Sequence, residues 1–148
     1  MPTVELRFSA QPEHVRTARL VAAAVARRAG VDEALLDEVR LAVGEACSRA
    51  VGLHRSHDIT APVTVVLIEE EKAFSIEVGD AVPGPGDNTS LPGRFRGAGG
   101  GPETDADSED EMGLAVISGL VDDVEVRSAT DGGVIRMSWP TTPAVVAP

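Results

Sequence analysis

Glu45 and Arg49 stand one helical turn apart in the stretch "DEVRLAVGEACSRAVGLH", Asp37 to His54, at the edge of an otherwise apolar helix face. An acid four residues before a base forms an ordinary ion pair on a helix, contributing roughly 0.2 to 0.5 kcal/mol. A guanidinium at that edge could also grip phosphate oxygens through two parallel N–H bonds. The other chemistry-bearing residues point elsewhere. His14, His54 and His57 fall on a helix start and a polar loop, with no cysteine or carboxylate at metal-ligand spacing, and read as surface histidines. Cys47 lies on the apolar side of its helix and reads as a buried, inert thiol. The sequence contains no serine nucleophile elbow and no Walker sequence.

The elements that must position Glu45 and Arg49 are legible from periodicity. Val4, Leu6 and Phe8 alternate with Glu5 and Arg7, which predicts a half-buried strand. Val15, Ala18, Ala22, Val25, Ala26 and Ala29 predict a helix over 12–29, opened by Pro12 and closed by Gly30. Asp32 is placed to cap a second helix with the stripe Leu35, Val39, Ala42, Ala46 and Ala50, ending near Gly52. "HRSHDITAP" is a connecting loop, and "VTVVLIEE" and "AFSIEVGD" form a hairpin. Residues 82 to 111 lose all periodicity and carry six acids among the nine residues from Glu103 to Glu111, which predicts a long flexible acidic lid. Leu114, Ile117 and Leu120 or Val121 then predict a short helical face, followed by a strand with Val124 and Val126 inward. "DGG" at 131–133 turns into a last strand with Ile135, Met137 and Trp139 on one face. The tail from Pro140 is expected to fray. Helices packed on one face of a largely antiparallel sheet make an α+β, two-layer sandwich.

Composition sets further limits. At 148 residues the chain is the size of one domain, expected over 1–140 with a disordered tail at 141–148. Its 24 acidic and 13 basic side chains give a net charge of −11, a field that repels a phosphate backbone, so direct nucleic-acid binding is not expected. A single cysteine forms no internal disulfide, which fits a reducing cytoplasm. "MPTVELRF" has no basic start and apolar run, and no apolar stretch reaches the roughly 18 residues of a membrane span, so neither a signal peptide nor a membrane anchor is expected.

"LAVGEACSRAV" resembles the N box of the GHKL ATPase superfamily, and within it the small anti-sigma-factor kinases of the RsbW and SpoIIAB-like type. Their helix reads approximately L-A-V-x-E-A-x-x-N-A, and Leu41, Ala42, Val43, Glu45, Ala46 and Ala50 match it. "FSIEVGDAVPGPGD" resembles the strand and loop those proteins use for adenine, near V-x-D-x-G-x-G, and "EMGLAVISGLVDDVEV" resembles their following box, with Gly113, Leu114 and Asp123 in place. The resemblance implies a Bergerat-type, histidine-kinase-like ATPase domain. It makes Glu45 the general base, Asp80 the reader of the adenine amino group, and Arg49, Gly84, Gly113 and Leu114 nucleotide-site positions.

Three positions depart from the pattern. Arg49 replaces the asparagine that holds Mg²⁺, removing an oxygen ligand and adding a repelling charge. Val82 and Glu111 replace glycines where backbone must approach an anion closely. The resemblance therefore implies an anti-sigma factor that sequesters an alternative sigma factor in stress or sporulation control and is released by a STAS-domain anti-anti-sigma partner. Homodimerisation is carried over with it. No metal site is expected and no cofactor, or ATP and Mg²⁺ if the site functions. Two alternatives stand beside it: an active serine/threonine protein kinase acting on the anti-anti-sigma factor, and an acidic interaction scaffold without a sigma partner.

Overall fold

A computed structural model of the chain describes residues 3–83, 115–121 and 123–141. Strand β1 (Thr3–Phe8) leads into helix α1 (Glu13–Ala29), and a 3-10 turn (Glu33–Leu35) into helix α2 (Leu36–Ser56). The hairpin β2 (Val63–Glu69) and β3 (Ala73–Asp80) follows, then a helical turn over 115–120, and the closing hairpin β4 (Asp123–Ala129) and β5 (Gly132–Pro140). The five strands form one antiparallel sheet in the order β1-β2-β3-β5-β4. This is the two-layer α+β sandwich that the pattern of elements predicts.

The core lies between the helices and one face of the sheet. Val63, Val65 and Leu67 of β2, Phe74, Ile76 and Val78 of β3, and Ile135, Met137 and Trp139 of β5 are buried at period two. Val39, Val43, Ala46, Cys47 and Ala50 of α2 lie against them. Small residues dominate the helix side, with Ala18, Ala22 and Ala26 of α1 and Ala42 and Ala46 of α2 all buried in the same core. The Trp139 indole N–H donates to Glu38 Oε1 at 3.3 Å and so meets its polar need at the core's rim.

Caps and turns follow local chemistry with two adjustments. Gly30 takes the left-handed conformation, φ 102°, and its N–H reaches the carbonyls of Ala26 and Arg27, closing α1. Asp32 accepts from the Ala34 N–H at 2.9 Å, so it caps the 3-10 turn rather than α2 directly. Helix α2 does not stop near Gly52 but continues to Ser56. The cause is inward burial one turn later: Val51 and His54 are both buried, and the exposed Gly52 costs only its helix propensity. Strand β5 likewise runs through Pro140, and Thr141 bridges Val31 and donates its N–H to the Lys72 carbonyl at 3.1 Å, so the chain is paired where fraying was expected. Residues 84–111 of the expected lid and the tail at 142–148 lie outside the described residues.

Candidate nucleotide site at the junction of the second helix and third strand

Strand phase decides where Asp80 points. It continues the inward series Phe74, Ile76 and Val78, so its carboxylate faces the helix layer at the sheet's end, and only 5% of the side chain is exposed. Its Oδ1 accepts from the Val82 N–H at 2.9 Å and from the Gly133 N–H at 3.2 Å. Gly133 is directly opposite Asp80 in the β3–β5 register, and a Cβ there would stand 3.0 Å from Asp80 Oδ2. A glycine thus allows β5 to approach the carboxylate.

Arg49 comes to the same place from α2. Its Nη1 lies 3.7 Å from Asp80 Oδ2, and its side chain is 14% exposed. Among the described residues no ion pair joins Arg49 to Glu45, the partner one turn away; the guanidinium turns across the helix–sheet interface instead. Burial explains the choice. A nearly enclosed carboxylate gains more from a counter-charge than an accessible one, because little water is left to solvate it.

Glu45 occupies a different flank of α2. With Val15, Arg19, Leu41, Gly44 and Ser48 it lines a shallow hollow of about 150 Å³ between the two helices. The structure therefore brings Arg49 and Asp80 together and sets Glu45 beside the helix groove. Gly84, Gly113 and Leu114 lie outside the described residues, as does Glu111. Val82 is half-buried, and its backbone is committed to Asp80.

Two participants were not read as functional from sequence. Gly133 was seen only as part of a turn, since its pairing with Asp80 is a contact 53 residues apart in the chain. His54, read as a surface histidine, is fully buried. The Ala81 N–H donates to its Nε2 at 2.9 Å, and its Nδ1–H donates to the Ala61 carbonyl at 2.9 Å, an arrangement only the neutral imidazole satisfies. Its signal was present: position 54 follows Ala50 by four and Cys47 by seven, on the buried stripe of α2. His54 thus fastens α2 to the residue immediately after Asp80. Cys47, by contrast, is buried as expected, and burial pushes its thiol pKa up to about 12.

The donors at this junction do not fit a magnesium–nucleotide complex held as the sequence motifs imply. The group at position 49, where those motifs place an oxygen ligand, is itself a cation. What the arrangement does achieve is a direct link between helix and sheet.

Residues 8–139 match the family model described as the histidine kinase-like ATPase domain. Over 134 residues the chain is 32% identical to the serine-protein kinase RsbW of Bacillus licheniformis, covering 88% of this chain and 80% of that protein. Over 130 residues it is 29% identical to the serine-protein kinase RsbW of Bacillus subtilis strain 168, covering 84% and 78%.

Proposed function

This chain belongs to the histidine kinase-like ATPase family, and from that premise we propose that it is an anti-sigma factor whose function rests on its protein-binding surface rather than on phosphoryl transfer. It holds an alternative sigma factor away from RNA polymerase in the cytoplasm and yields it when a STAS-domain anti-anti-sigma partner binds. A homodimer is the assembly that goes with this reading. The observation that supports it most is the combination of RsbW-like sequence over 88% of the chain with an arginine where the metal-holding asparagine is expected. The charge of −11 fits a protein that acts on a transcription factor without touching DNA. No helix among the described residues is long and apolar enough to cross a membrane.

The test is direct. Each alternative sigma factor of the same genome, purified and mixed with this chain, is passed over a sizing column with and without its STAS-domain proteins. One sigma factor should co-elute and be displaced by one STAS protein. Absence of any complex at micromolar concentrations would defeat the proposal and favour an acidic interaction scaffold.

A second reading is favoured by the names of the relatives, which are serine-protein kinases, and by the retention of Glu45 and Asp80. In that reading Glu45 takes the proton from the acceptor hydroxyl of the STAS partner. Incubation with labelled ATP and Mg²⁺ separates the two: phosphate on a serine or threonine of the STAS protein establishes the kinase, and none supports the partner-exchange mechanism.

A further inference from the structure

We infer that Arg49 and Asp80 form an internal lock: the guanidinium of α2 occupies the side of the Asp80 carboxylate that a nucleotide base would need, so the chain closes its own nucleotide site. The inference rests on the reading of Asp80 as the base-recognising carboxylate in the proposed function. It adds what closes the site and how it can be opened.

Asp80 has two oxygens to offer, and both are engaged. Oδ1 takes the N–H groups of Val82 and Gly133, while Oδ2 faces Arg49 Nη1 at 3.7 Å. An exocyclic amino group arriving at Oδ2 is a neutral donor and finds that side already faced by a cation at ion-pair distance, whose attraction is strong because little water reaches the carboxylate. A divalent cation brought in with the nucleotide would meet the same guanidinium as a like charge.

Arg49 cannot leave cheaply. Only 5% of the Asp80 side chain is exposed, so removing its counter-charge leaves a carboxylate that water cannot reach. Nor can α2 simply draw back and carry Arg49 away, because His54, five residues further along α2, accepts the Ala81 N–H. The lock is therefore held at a side chain and at the adjoining backbone. Helix and strand are joined directly, and the order that a bound ligand could bring to this junction is already present without one.

The full chain is tested by calorimetry with ADP, with and without Mg²⁺, as wild type, Arg49→Asn, Arg49→Lys and the double variant Arg49→Asn with Asp80→Asn. Thermal melts confirm folding. Arg49→Asn should bind Mg²⁺–ADP at least about tenfold more tightly than wild type, a difference of 1.4 kcal/mol. Arg49→Lys, which keeps the cation, should behave as wild type, and the double variant should lose the gain. If Arg49→Asn does not fold, Arg49→Gln, neutral but closer in length, carries the same expectation.

Wild type binding Mg²⁺–ADP as tightly as the neutral variants would overturn the lock, and so would folded neutral variants that bind no better than wild type. These outcomes are separate from the sigma-factor experiment. Loss of co-elution removes the anti-sigma reading while leaving the nucleotide measurements interpretable, and absence of any gain removes the lock while a sigma complex can still form.

Discussion

Each face of the sheet meets an arginine, one reaching a single carboxylate from helix α2 and the other standing on β5 between two, and the two are used differently. On the helix side Arg49 meets Asp80 with 14% and 5% of their side chains exposed. On the outer face Arg136 donates to Glu70 at 2.7 Å and Glu77 at 2.9 Å, with roughly a third of each side chain exposed, and Ser75 and Ser138 complete the network at 2.8 Å. The outer pairs are the shorter contacts, yet solvent screens them and other polar groups share the load. The inner pair is longer but stands where water cannot substitute for either partner. Contact distance alone would rank them wrongly; accessibility decides what each loss costs.

Three experiments press on that contrast. The largest effect is expected from Arg49→Met, which leaves Asp80 enclosed with only its two backbone donors: a loss of about 3 kcal/mol, at the low end for a broken buried pair because those donors remain. For a chain of this size that lowers Tm by about 6 to 12 °C. Adding Asp80→Asn should restore most of it, since the uncompensated charge is then gone. Urea melts that show Arg49→Met to be as stable as wild type would show that the inner pair contributes nothing.

Arg136→Met should cost about 1 kcal/mol in the same assay, and the difference should shrink in 1 M salt, where the screening length falls to about 3 Å. The Arg49→Met loss should change little with salt. Equal salt sensitivity of the two variants would remove the distinction between the faces.

The smallest effect near neutral pH belongs to the ionisation of Cys47, a buried member of the core on α2. Its thiol pKa rises from 9.0 to about 12 because burial disfavours the thiolate. The folded-state pKa lies above the unfolded one, so the contribution is whole below about pH 9 and is lost as pH climbs from there towards 12. At pH 8 a thiol reagent should modify the folded chain far more slowly than the urea-unfolded chain. Fast labelling of the folded chain would contradict the burial.

The sheet's edges complete the comparison. Glu5 and Arg7 on β1 pair at 2.8 Å, and Glu125 and Arg127 on β4 pair at 2.9 Å, all exposed except the half-buried Glu125. Charges along both outermost strands discourage pairing with other chains through the open backbone.

Much of this architecture could be read before any coordinates. Period-two patterning placed Leu6 and Met137, helical spacing placed Val39 and Ala46, and Gly30 ended α1 as its type requires. The family match bears out the resemblance carried by "LAVGEACSRAV". His54 was misplaced because loop-like composition around it outweighed its position on the buried stripe. Gly133 was missed because strand register over such a separation has no local signature.

The sequence by itself determined the elements, the family and the replacement at position 49, since each depends on residue types at short spacing. It could not choose between Glu45 and Asp80 as the partner of Arg49, because one is a neighbour in the chain and the other 31 positions away. Tertiary structure made that choice: packing α2 on β3 took the water from Asp80, and a carboxylate without water draws the nearest cation.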